Sequence, residues 1–119
     1  MIGLVMATTL EAKPFIKKLA LIETEKRPFH FYSNDDIRLI ISGIGKTNSA
    51  TASTYLIQYC RPLCVCNIGA SGSTGLQHSL GEIYHIGKIV EPDRANLKTG
   101  IPHEHIPDTL PGFPIAVLA

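Results

Sequence analysis

The chain has 119 residues, 45% of them hydrophobic and 18% charged, which suits one packed domain over residues 1–119 and excludes a disordered polymer. Eleven basic against ten acidic side chains leave a net charge of +1, so the chain lacks the electrostatic footprint of a nucleic-acid or anionic-membrane binder. No apolar run reaches the roughly 18–20 residues that span a bilayer, and no basic segment followed by an apolar one opens the chain as a signal peptide would. Cys60, Cys64 and Cys66 are odd in number and sit in apolar surroundings, which argues against a disulfide framework and for the reducing cytoplasm.

Ile2 to Ala7 is a continuous apolar run and reads as a strand buried on both faces. Thr8 and Thr9 are candidate helix caps. Leu10 to Ala20 carries Ala12, Phe15, Ile16 and Leu19 at helical spacing, with Pro14 expected in or near the first turn. Residues 21–42 read as strands: Phe29–Phe31 is a short one, Asn34-Asp35-Asp36 a polar turn, and Ile37–Ile41 a strongly apolar one. Ser42-Gly43-Ile44-Gly45 then leads into a helix from Thr47 to Cys60, with Ala52, Tyr55, Leu56, Tyr59 and Cys60 on its core side and Arg61-Pro62 as its stop.

Leu63 to Ile68 reads as a third buried strand, ending in the turn Gly69-Ala70-Ser71-Gly72-Ser73-Thr74-Gly75, and Ile83–Val90 as a fourth. Five of the eight prolines fall between Glu91 and Pro114, which reads as loop, and Ile115–Leu118 opens a fifth strand. The alternation of strands and helices argues for an α/β fold. A core strand so near Ala119 suggests half of a larger α/β domain, truncated or completed by other chains; a simple final edge strand fits equally well.

Glycine turns after buried strands are where α/β sheets place ligands. Gly45-Lys46-Thr47 has the ending of a P-loop, but Ile40 stands where that motif needs its first glycine. Gly43-Ile44-Gly45 is followed by Asn48 where the dinucleotide fingerprint needs its third. Cys64-Val65-Cys66 places two thiols on one face of a strand, with no second ligand pair beside it, so it reads as buried free cysteine and no metal is expected. His103-Glu104-His105 reads as a solvated loop, and Tyr55 and Tyr59 as helix core. Glu11 has a structural reading as well: Thr8-x-x-Glu11 is a capping box, although Thr8 as cap would put Pro14 beyond the first turn.

The ordered set of the Ile2–Ala7 strand, Glu11, Ser42-Gly43-Ile44-Gly45-Lys46, Asn67-Ile68-Gly69-Ala70-Ser71-Gly72 and Leu80-Gly81-Glu82-Ile83 resembles the N-terminal half of the nucleoside phosphorylase/nucleosidase superfamily. Within it, the 5′-methylthioadenosine/S-adenosylhomocysteine nucleosidases are most similar. The resemblance runs from Ile2 to about Val90. It implies a phosphorylase/hydrolase-like α/β fold with a central mixed sheet and flanking helices, incomplete here. It implies that Glu11 positions the attacking water, that Ala7 and Ile44 line the pocket, and that Ala70, Ser71 and Gly72 form the turn along the ribose and nucleophile. Superfamily phosphorylases carry a phosphate-gripping arginine two residues before that turn's first glycine. Asn67 stands there, which favours hydrolysis over phosphorolysis.

The family often has Ser or Thr where this chain has Ala70. No residue after Val90 matches the second-half glutamate that binds the ribose hydroxyls or the aspartate that protonates the purine. The expectation is therefore a cofactor-free hydrolase of a small-molecule purine nucleoside, assembled as a homo-oligomer. The rivals are a phosphate-dependent phosphorylase and a truncated, non-catalytic relative that binds nucleosides or itself. Arg94 is a surface arginine by default, or one that reaches a neighbouring subunit's pocket.

Overall fold

Strand β1 (Ile2–Met6) sits inside a five-stranded sheet because both of its edges find partners. In the computed structural model, which describes residues 1–109, 111–112 and 114–119, it pairs in parallel with β4 (Ile37–Ile41), from Ile2 opposite Ile37 to Met6 opposite Ile41. On its other edge it pairs in parallel with β5 (Cys64–Asn67), from Ile2 opposite Cys64 to Val5 opposite Asn67. The chain divides into two compact units, Met1–Gly72 and Ser73–Ala119.

In the first unit the sheet order is β2-β3-β4-β1-β5, with β2 (Ile22–Glu25) and β3 (Phe31–Ser33) forming an antiparallel meander into β4. The sheet is mixed, as expected. The turn into β4 is an Asx turn: the Asn34 side-chain oxygen accepts from the backbone N–H groups of Asp36 and Ile37, both at 2.8 Å. The expected Phe29–Phe31 strand lies two residues later, because Phe31 pairs with Ile40 and takes its buried place against the sheet.

The period-two alternation of a strand sends neighbouring side chains to opposite faces, and the core divides accordingly. Leu4, Met6 and Leu39 pack with Ala12 and Leu21 on one face, beside Phe15, Ile16 and Leu19 of helix α1 (Thr9–Lys18) and its C-cap. Val5, Phe31 and Ile40 pack with Ala52 and Leu56 of helix α2 (Lys46–Cys60) on the other. This double cover is why β1 carries no polar residue.

Helix α1 begins and ends earlier than Leu10–Ala20. Thr8 caps it, and Ala20 leaves it in the left-handed region at φ 51°. Pro14 therefore lies inside the helix and not in its first turn. The carbonyl that loses its partner belongs to Leu10, whose residue is 79% exposed, so water can serve it. Helix α2 stops at Arg61, whose left-handed backbone (φ 48°, ψ 55°) closes the last turn with an N–H bond to the Ile57 carbonyl. Tyr59 is not core. It is 59% exposed, stacks on Tyr55 with ring centroids 5.5 Å apart, and donates its hydroxyl to Glu25 at 2.7 Å.

Strand β5 also departs from expectation. It is shorter than Leu63–Ile68 and is not buried: Leu63 is 88% and Val65 37% exposed. It is the last strand of its sheet, so only β1 covers its edge.

In the second unit, β6 (His85–Ala95) lies between antiparallel β7 (Pro102–His105) and parallel β8 (Ile115–Leu118). β6 begins later than Ile83 and runs on past Val90 through Pro92. The ladder with β7 shifts register between Glu91 and Ala95, so Pro92 falls where no regular N–H is required. The stretch expected to be loop thus contributes strand on both sides of a turn, and Pro102 takes the first position of β7, where proline is tolerated. His103-Glu104-His105 lies on that strand, with Glu104 3.4 Å from the Lys88 ammonium on β6. Opposite β8 the register skips at Gly87, where a Cβ would stand 2.4 Å from the Ile115 side chain.

Candidate active site

Because β1, β4 and β5 are parallel, their carboxyl ends meet at one edge of the sheet, the position where α/β proteins gather ligand-binding loops. Backbone bonds tie the three exits together. The N–H groups of Ser42 and Gly43 donate to the carbonyls of Met6 and Ala7, each at 2.9 Å, and Ile68 N–H donates to Val5 at 3.1 Å. Gly43 and Gly45 allow the β4–α2 turn its positive φ values of 83° and 100°.

Glu11 stands in the first turn of α1, directly after β1. Its Oε2 accepts from the Thr8 backbone N–H at 3.1 Å and from the Thr8 hydroxyl at 3.0 Å, while its own N–H donates to the Thr8 oxygen at 3.2 Å. The capping box is therefore complete. Its Oε1 accepts from the Ala70 backbone N–H at 3.0 Å, a contact across 59 residues of sequence. The structural reading and the site reading of Glu11 hold together, each on its own oxygen. A Cβ added at Gly69 would stand 3.5 Å from Oε1, so the turn passes close to the carboxylate.

These donors act on the charge. The Ala70 N–H first, then the Thr8 hydroxyl, hold the Glu11 carboxyl below the ordinary glutamate range; burial opposes them, and the Thr8 N–H adds a lesser lowering. Glu11 is thus ionised at neutral pH, and Oε1, which accepts a single bond, keeps lone-pair capacity for a further donor. A fixed carboxylate at the mouth of three loops can orient a water or a hydroxyl group.

The other expected residues are placed as follows. Ala7 is half-buried at the exit of β1 and touches the β4–α2 turn through its carbonyl. Ile44 lies in that turn and is 77% exposed. Ala70, Ser71 and Gly72 are exposed; the Ser71 hydroxyl faces the Gly72 carbonyl at 3.5 Å, and the space around Gly72 is open to at least 4 Å. The structure therefore joins Glu11 to Ala70 directly and Ala7 to the Gly43 turn, and leaves Ile44, Ser71 and Gly72 on the open rim. Asn67 turns its amide toward the Ser49 hydroxyl at 3.5 Å. Thr8 belongs to this group as a holder of Glu11. Its signal was the Thr8-x-x-Glu11 spacing, which sequence alone assigns to capping. Among the described residues no group of three or more His, Cys, Asp or Glu is arranged to hold a metal ion, and no helix is long and apolar enough to cross a membrane.

Known proteins are similar to this chain in sequence and in fold. The chain is 31% identical over 96 residues to the 5′-methylthioadenosine/S-adenosylhomocysteine nucleosidase of Bacillus pumilus, covering 74% of this chain and 36% of that protein. The Haemophilus influenzae protein of the same name is 34% identical over 88 residues, covering 69% of this chain and 38% of its own. The chain thus spans less than two-fifths of the length of these curated relatives. In fold it is similar to the Neisseria meningitidis nucleosidase solved with methylthio-immucillin-A, at TM-score 0.75 and 18% identity over 96% of this chain and 60% of that one. The Streptococcus pyogenes S-adenosylhomocysteine nucleosidase solved with 5-methylthiotubericidin gives 0.74 and 20%, over 90% and 51%. The family profile of the phosphorylase superfamily matches residues 1–117. From the parallel strands and their gathered turns to that match, the chain belongs to the phosphorylase superfamily.

Proposed function

We propose that this chain forms the water-and-ribose side of a nucleosidase site that hydrolyses the N-glycosidic bond of a purine nucleoside of the 5′-methylthioadenosine/S-adenosylhomocysteine type. The observation that carries the reading is the Glu11 carboxylate, held on one side by its own helix cap and on the other by the Ala70 N–H. The names of the relatives support the substrate class.

Breaking a glycosidic bond leaves an oxocarbenium-like sugar. The bond's electron pair departs with the base, which takes up a proton. Water adds to the sugar carbon and gives up a proton in turn. Glu11 is ionised, so it accepts a hydrogen bond from that water and aims its lone pair at the sugar. Because its affinity for a proton is lowered, its first contribution is orientation. Proton transfer follows as the water bonds to the cationic carbon and becomes acidic. The exposed Ala70–Gly72 turn offers backbone groups to the sugar hydroxyls, with open space at Gly72 for close approach. Water is the only co-reactant this chemistry needs.

Phosphorolysis is the second reading. It would place an anion where Asn67 stands, and a neutral amide supplies no charge-assisted donor there.

The test is release of adenine from 5′-methylthioadenosine by the purified chain in phosphate-free buffer. The expected products are adenine and the free sugar, with no stimulation by phosphate and a loss of about 10²–10⁴-fold in Glu11→Gln. Release of a sugar 1-phosphate that requires phosphate would establish phosphorolysis instead. No release at all, from protein confirmed by intact mass, would overturn hydrolysis by this chain.

A further inference from the structure

The three cysteines divide between the two faces of the first unit's sheet. Cys60 ends α2 and packs with the Val5, Phe31, Ile40 and Leu56 cluster. Cys66 packs on the opposite face, beside Leu4, Met6 and Ile68. Cys64 lies two residues before Cys66 on β5, opposite Ile2 where Cys66 is opposite Leu4, so both thiols project from the same face. Cys64 is exposed, since it occupies the open last strand of the sheet, and Cys66 is half-buried.

The two thiols stand side by side on that face, one pleat apart along β5. Such a pair has two routes to a covalent or coordinate link, and strand geometry separates them. Residues two apart on a strand have Cα atoms roughly 6.6 Å apart, near the upper limit of about 6.8 Å that a disulfide tolerates. A disulfide must also draw the sulfurs to about 2.05 Å. A single soft atom bonded to both sulfurs at about 2.3 Å leaves them roughly 3.8 Å apart at a tetrahedral angle, which asks far less convergence of two same-face side chains than a disulfide does. The strand therefore resists the disulfide and suits the bridge.

We propose that Cys64 and Cys66 form an open two-thiol site for a soft, thiophilic centre that accepts two sulfur ligands, the class represented by monosubstituted trivalent arsenicals. Two ligands are what the face supplies, and such a centre needs no third. The reaction balances without an oxidant: two thiols and an arsenic(III) oxide give a cyclic dithioarsenite and one water, with no change of oxidation state. The exposed Cys64 sulfur bonds first, and Cys66 closes the ring after losing its proton.

The test treats the reduced, folded chain with phenylarsine oxide and reads intact mass and titratable thiols. The expected result is one arsenical per chain and loss of two of the three thiols, reversed by a small dithiol and resistant to a monothiol. Cys64→Ser and Cys66→Ser should each abolish the dithiol-specific adduct, and Cys60→Ser should leave it intact. Cys64 is exposed, so its replacement leaves the fold undisturbed and the comparison remains decisive if Cys66→Ser fails to fold. Three thiols still titratable after treatment would overturn the proposal. So would an adduct that forms only in urea, or one that depends on Cys60.

Discussion

Glu11 serves a helix cap and a candidate chemical site with one carboxyl group, and two substitutions separate those duties. Glutamine retains the geometry that closes a capping box, since the motif accepts Glu or Gln at that position, but loses the charge. Alanine loses both. The folded state gives up two Thr8 contacts and the Ala70 contact in Glu11→Ala. Ala70 is exposed, so water replaces that partner and the cap dominates the loss. A cap is worth about 1 kcal/mol, within roughly 0.5–2. For a unit the size of Met1–Gly72, a loss of about 1 kcal/mol lowers Tm by roughly 4–8 °C. Glu11→Gln should stay within about 0.5 kcal/mol of the parent. Thermal unfolding followed by circular dichroism measures the first effect, and adenine release measures the second, where both variants should fall about 10²–10⁴-fold. Equal destabilisation by Gln and Ala would refute the division of labour between the two oxygens. Full activity in Glu11→Gln would refute the chemical role.

The same carboxylate predicts a pH dependence. Its proton affinity is depressed in the folded state, so its contribution is complete above the ordinary glutamate range and is lost as pH falls through the depressed value. The stability difference between parent and Glu11→Gln should be flat near neutrality and shrink in acid; a difference that grows in acid would contradict the assignment. Gly3→Ala would place a Cβ 2.8 Å from the Leu56 side chain and 3.3 Å from Pro62. Overpacking of this kind costs about 1–3 kcal/mol and should lower the urea midpoint without changing the slope. Leu56→Ala, at a residue with no solvent exposure, should cost about 2–5 kcal/mol; a loss under about 1 kcal/mol would show that α2 is not held by that contact.

The elements legible in the sequence were those with one strong local cause. The unbroken apolar run of β1 reported its double cover, and Arg61-Pro62 marked the end of α2. The turn at residues 34–36 was legible because asparagine makes its own backbone bonds there. Pro14 was misplaced because the rule against proline inside a helix ignores where the orphaned carbonyl lies. β7 was missed because prolines read as loop, whereas Pro92 and Pro102 occupy a register break and a strand start. The apolar residues of β5 suggested burial, but burial depends on what a strand packs against, and sequence alone does not state its place at the sheet's end. In the site, both the spacing of Thr8 and Glu11 and the resemblance pointed at Glu11. The Ala70 bond was not legible, since it depends on the register that brings β5 alongside β1.

β1 precedes both of its partners in the chain, yet it is an inner strand of the sheet. β1 pairs with β4 at residues 37–41 and with β5 at residues 64–67. During synthesis its two edges therefore stay open until those partners emerge, and a nascent chain stopped before residue 64 exposes a fully apolar strand with one bare edge. Such edges are templates for pairing with other chains. At about 5–20 residues per second, the interval between β1 and β5 lasts on the order of several seconds. Ribosome stalling in the α2 coding region should therefore produce aggregates, whereas stalling after β5 should release a first unit whose sheet is already paired.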